Sequence, residues 1–174
     1  MLEVPPALRP DIAQPVRSEI SLPRVPYHGK ISVVGWRGRM AVNLKVNEHV
    51  KYWVDESLET LDAAKILLAG GKSLEASFFC NLACEKAFKA AYIKHTSEIP
   101  PKTHSLVQLA QLSALFDLMN ETQKRFISRL DVFQIEGRYP QDRAKLYATT
   151  PQEEFQTILR ETEVIIIWVH QTLT

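Results

Sequence analysis

The sequence predicts an all-α protein: an up-and-down bundle of four long helices plus one short helix, behind an irregular N-terminal arm. Three observations carry this prediction. From Asn47 onward, apolar residues recur at steps of three and four. Breakers such as Gly70-Gly71 and Pro100-Pro101 separate the periodic stretches. No segment alternates with the strict period that a hairpin strand needs. At 174 residues, 45% hydrophobic and 24% charged, the chain has the balance of one soluble globular domain with room for a core.

Residues 1–42 stand apart. They hold six of the ten prolines (Pro5, Pro6, Pro10, Pro15, Pro23 and Pro26), and only Lys30-Ile-Ser-Val-Val34 has a strand-like look. A disordered or loosely packed arm is expected there, with the helical bundle spanning 43–174. The alternative is that translation starts at Met40 and the upstream residues are not part of the natural product. Six cations (Arg9, Arg17, Arg24, Lys30, Arg37, Arg39) face three acids (Glu3, Asp11, Glu19) in the arm, whereas the whole chain carries only +1. So small a net charge gives no global field for tight nucleic-acid binding.

The helices follow in order. Asn47 is placed to cap the first, whose stripe reads Val50, Trp53, Val54, Leu58, Leu61, Ala64 and Leu68. Gly70-Gly71 stops it. Ser73 is the expected cap of the second, which sets Ala76, Phe79, Cys80, Ala83, Cys84, Ala87, Ala90 and Ala91 on one side and ends at Pro100-Pro101. A short third helix follows His104, with Leu106, Leu109, Leu112 and Leu115/Phe116 inward. Asn120-Glu-Thr-Gln123 has the capping-box pattern and opens a fourth helix that buries Phe126, Ile127, Leu130 and Phe133. Gly137 and Pro140 bracket its end. Thr150-Pro151-Gln-Glu153 opens the last, as a cap, a proline at the first helical position and a glutamate completing the box. Its stripe is Phe155, Ile158, Leu159, Thr162, Ile165, Ile166, Val169 and Leu173.

Several chemistries are excluded or disfavoured. Cys80 and Cys84 lie four apart on one helix face, poor geometry for a disulfide and too few ligands for zinc, so buried thiols are expected and no metal. The run Val164-Ile-Ile-Ile-Trp-Val169 is too short to span a bilayer, and no secretory signal opens the chain, so a cytoplasmic protein is expected. No Gly-rich phosphate loop or nucleophile elbow occurs, and no cofactor is implied.

The polar residues that remain are concentrated. Lys86 and Lys89 form a cationic ridge on the second helix with Lys94 a turn further on, and Glu85 precedes Lys89 in the favourable pairing order. A solvated helix face is the plain reading of that ridge. Lys102 and His104 follow the next break; Arg138, Arg143 and Lys145 are expected in the loop between the fourth and fifth helices. Meeting at one end of the bundle, these groups would suit a phosphate or an acidic partner. His104 reads either as a cap-region residue bonded to local backbone or as a ligand contact or proton-transfer group. Tyr139 either stacks on a base or packs over the bundle end, and Trp53 and Trp168 are read as core.

An ordered set of short motifs resembles the HEPN family. It comprises Trp53 with Ala63-Ala64-Lys65; Ala76-Ser-Phe-Phe79; Ala83-Cys-Glu85-Lys86-Ala-Phe-Lys89-Ala; Pro101-Lys-Thr-His104-Ser-Leu106; and Arg138-Tyr139-Pro140, and the likeness spans roughly Asn47 to Leu173. The resemblance implies a helical bundle that pairs as a homodimer and works beside a minimal nucleotidyltransferase in a toxin–antitoxin or nucleotide-transfer pair. RNA-cleaving members carry an arginine followed after four to six residues by a histidine. Here Arg138 and Arg143 have no downstream histidine before His170, and Arg24 and His28 lie in the arm. The leading expectation is therefore a module that binds a nucleotide or RNA through Lys86, Lys89, Lys102, His104, Arg138, Tyr139 and Arg143, or partners a nucleotidyltransferase, rather than an enzyme. The alternatives are a metal-independent ribonuclease toxin pairing Arg138 with His104 and a purely structural dimerisation bundle.

Overall fold

One helix, α2 (Ser73–Thr96), is buried on nearly every side, and the rest of the bundle is arranged around it. Its inward residues are small: Ala76, Cys80, Ala83, Cys84, Ala87, Ala90 and Ala91 are each at most 4% exposed, so neighbouring helices approach closely. The computed structural model describes residues 35–136 and 140–174, with side chains over 45–134 and 144–174. Among these residues there are six α-helices and no strand; the all-α class is as the periodicity predicts, with one helix, α5, beyond the five expected. α1 (Gly35–Ala69) lies along α2; α6 (Gln152–Thr172), α4 (Glu121–Glu136) and α3 (Leu106–Leu112) also pack on it, and α5 (Pro140–Thr149) touches α4. The up-and-down order follows from paired contacts. Ser73 at the start of α2 bonds Gln152 at the start of α6, whereas Arg129 of α4 pairs with Glu154 and Phe133 meets Phe155.

The core is one cluster running through Leu61, Phe88, Leu106, Leu109, Ile127, Leu130, Ile158, Ile165, Ile166 and Val169, each at most 3% exposed. Burying each large aliphatic side chain contributes about 1.5–3 kcal/mol. The stripes expected on the fourth and last helices are met: Phe126, Ile127, Leu130 and Phe133 are buried, as are Phe155, Ile158, Thr162, Ile165, Ile166 and Val169, while Leu159 and Leu173 pack partly buried against the core. Leu58 and Leu112 depart from expectation at 42% and 43% exposed, because each sits at the edge of its stripe. Trp168 packs on the core, but Trp53 is only half-buried and meets a charged group instead.

Helix ends separate local from tertiary control. α1 closes in a Schellman motif: Gly71 takes φ +73°, the Lys72 amide donates to Leu67 carbonyl at 2.9 Å and the Gly71 amide to Leu68 at 3.0 Å. The capping box at α4 forms, with Gln123 amide donating to Asn120 Oδ1 and Asn120 amide to Gln123 Oε1, both at 2.9 Å. Other ends differ from the sequence reading. α1 begins at Gly35, so Asn47 is a mid-helix residue and not a cap, and 35–42 are helical; the strand-like Lys30–Val34 lies outside the described residues. Ser73 is the first helical residue of α2 and gives its hydroxyl to Gln152 instead of capping. α2 stops at Ser97, which takes φ 58°, before Pro100-Pro101 is reached. α6 starts without a side-chain cap, so Thr150 does not play that part. The segment after Pro140 is a helix, so Arg143 and Lys145 lie on α5 and not in a loop.

Candidate functional site

Where α2 turns an edge outward, its residues change from apolar to charged. Glu85 is the unusual member, a carboxylate whose side chain is only 4% exposed. Burial of a charge is tolerated only when it is paired and hydrogen-bonded. Glu85 has both kinds of partner: Lys89 Nζ lies 2.5 Å from Oε1, the expected pair one turn along, and His104 Nδ1 lies 3.0 Å from Oε2. As a carboxylate Glu85 can only accept, so the imidazole presents Nδ1–H to it and its second nitrogen, Nε2, is the one left for other partners. The His104 side chain is 62% exposed. Held by one ring nitrogen on a buried acid, the imidazole is oriented but open to solvent. This is the arrangement in which histidines transfer protons or contact ligands.

The junction that carries His104 is itself anchored. Ser105 is the N-cap of α3 and accepts from Gln108 amide, and His104, just before it, turns Nδ1 to Glu85. Asp131 of α4 accepts from Leu106 amide at 3.0 and 3.1 Å, from Ser105 hydroxyl at 3.1 Å and from Asn81 Nδ2 at 3.1 Å. Three donors on one acid lock the start of α3 against α2 and α4, and His104 is the next residue along.

The lysine ridge is not a free cationic surface. Lys86 Nζ reaches across to α1, donating to Glu56 Oε2 at 2.7 Å and Thr60 Oγ1 at 2.8 Å. Lys89, besides Glu85, sits 5.2 Å above the Trp53 ring, a cation–π contact. Two ammonium groups thus face two carboxylates, and the lysine side chains are only 18% and 12% exposed. Lys94 and Lys102 are exposed, without an ion pair among the described residues. Lys89 and His104 are therefore brought together on Glu85, Lys86 reaches instead to α1, and Lys102 lies two residues before His104. Arg138 and Tyr139, and the Arg143 side chain, lie outside the described residues.

Glu56, Thr60, Trp53 and Asp131 were missed as site residues by the sequence reading. Asp131 alone left a signal, as an acid set between Leu130 and Phe133 of an apolar stripe. Other chemistries find no support here. Cys80 and Cys84 are free and buried; burial pushes the Cys80 thiol up to about 11 and Cys84 well above its usual value, against a small opposing effect of the Thr162 hydroxyl. Neither is a nucleophile at neutral pH. No group of three or more His, Cys, Asp or Glu among the described residues is arranged to hold a metal ion. No described helix is long and apolar enough to cross a membrane.

A central helix of small residues, wrapped by α1, α4 and α6 and bearing a buried Glu joined to Lys and His, defines a helical bundle with a polar cluster on α2 among the described residues. The family model for the HEPN domain matches residues 50–172, and the chain belongs to that family. No curated protein and no solved structure gives a significant match.

Proposed function

We propose that this HEPN domain binds a nucleotide or an RNA segment at the mouth formed by Lys86, Lys89 and His104, and acts as the homodimeric partner of a minimal nucleotidyltransferase in a two-component, toxin–antitoxin-like system. The observation that carries the reading is the exposed imidazole of His104, fixed through Nδ1 on the buried Glu85. A bundle needs no such group for its core, and orienting one at the surface costs side-chain entropy. Lys102, Arg138, Tyr139 and Arg143 are proposed as further contacts. Exposed Val164 and Ile167 on α6, 61% and 50% accessible, are proposed for the dimer surface.

Titration of AMP, ATP, GTP and a short RNA, read by tryptophan fluorescence because Trp53 borders the mouth, tests the binding reading. Saturable binding of at least one is the expected result. Absence of binding by all four, with no nucleotidyltransferase co-purifying, contradicts it. The Glu85–His104 pair also favours a second reading, a ribonuclease using His104 as base, with Arg138 proposed as the cation. It requires that induced expression degrade RNA and that His104→Ala abolish the degradation; intact RNA eliminates it.

A further inference from the structure

We infer that the mouth on α2 reads the base of its ligand rather than the phosphate. This rests on the nucleotide-binding reading and narrows it to one chemical part of the ligand: a neutral, planar, hydrogen-bonding ring.

The first ground is charge. A phosphate site needs cations that are uncompensated before the ligand arrives. Lys86 is neutralised by Glu56 at 2.7 Å and Lys89 by Glu85 at 2.5 Å. A phosphate oxygen entering between them meets two carboxylates as near as the two ammonium groups, and neither lysine has much exposed surface to offer. Lys102 adds one solvated charge at the rim, which salt screens.

The second ground is the acceptor. With Nδ1–H committed to Glu85, Nε2 is the ring nitrogen that His104 turns to a ligand, and in the Nδ1–H tautomer it carries a lone pair. A lone pair repels a phosphate oxygen and attracts an N–H donor, and every nucleobase carries a ring or exocyclic N–H on its pairing edge. The third ground is the aromatic surface alongside. Trp53 lies against Lys89, and Tyr52, 52% exposed, stands edge-on to Trp53 at 5.7 Å. Tyr52 is one helical turn before Glu56, so its ring shares the face of α1 that flanks the lysines. Aromatic rings beside a fixed acceptor are how unstacked bases are held by proteins.

The test uses the full chain and compares four probes: adenosine, AMP, ribose 5-phosphate and inorganic pyrophosphate. Adenosine and AMP are expected to bind within about threefold of each other, and to change by no more than about twofold between about 50 and about 200 mM salt, since few counterions are released. Pyrophosphate and ribose 5-phosphate are expected not to compete. His104→Asn keeps a donor for Glu85 but deletes Nε2, and it should weaken adenosine by about tenfold, the loss of one hydrogen bond. Unchanged thermal unfolding of that variant separates lost contact from lost fold. If AMP binds while adenosine does not, or pyrophosphate competes, phosphate is being read and this inference is overturned, with the nucleotide reading intact. If none of the four probes binds and RNA does not either, both fall.

Discussion

Glu85 and His170 show how a single polar side chain can be tied to a helical core in two different ways. Glu85 is ionic and nearly covered, with Lys89 and His104 as its compensation. Glu85→Ala leaves the Lys89 ammonium 12% exposed without its acid, and stability should fall by about 3 kcal/mol, the cost of breaking a buried pair. Urea denaturation checks this, with Lys51→Ala as control: its pair with Asp55 is 74% and 51% exposed, and its removal should shift stability by at most about 0.5 kcal/mol. His170 joins α6 to α1 through Ser57. Ser57 donates its own proton to Val54 carbonyl, so His170 Nε2–H is the donor in the 3.1 Å contact. Burial holds the His170 imidazole below its usual value of 6.5, so the unfolded chain takes up that proton first as the pH falls. The contribution of His170 to stability is therefore full above about pH 6.5 and declines below it, through the depressed value. Replacing it by Gln should flatten the pH dependence of the urea midpoint over that window; an unchanged slope contradicts the assignment.

Elements differ in how much of their design is local. The α4 capping box is complete within four residues, and it was legible because nothing distant is needed to form it. Asn120→Ala removes the acceptor for Gln123 amide and should cost about 1 kcal/mol by thermal or urea unfolding. Thr150→Ala, at a position of the same apparent type, should change stability by less than about 0.5 kcal/mol because α6 has no side-chain cap. The start of α1 was illegible for the opposite reason. Asn47 is a good cap by type, but the helix is already running when it is reached. α5 escaped notice because Leu146 is the one core residue it contributes among its described side chains, too little for any period to register. Ser97 ended α2 in a left-handed conformation that its residue type does not announce.

At the scale of the molecule, the bundle was readable from periodicity and the mouth only in half. Glu85 and Lys89 are four apart on one helix, and their pairing follows from that spacing. Glu56 and Asp131 lie 30 and 25 positions from the residues they bond, and no local pattern says that α1 neutralises Lys86 or that α4 locks the start of α3. Glu56, with Glu85, offsets the charge of the ridge, and Asp131 orders the junction beside it. The claim on which the account depends is that His104 is held by Nδ1 on Glu85 with Nε2 facing the ligand. Nitrogen-15 NMR of the His104 ring during a titration with AMP measures this directly. The account predicts an Nδ1–H tautomer in the free protein and a shift of Nε2 on saturation. A free imidazole protonated at Nε2, or ring nitrogens indifferent to a nucleotide that binds, would contradict it.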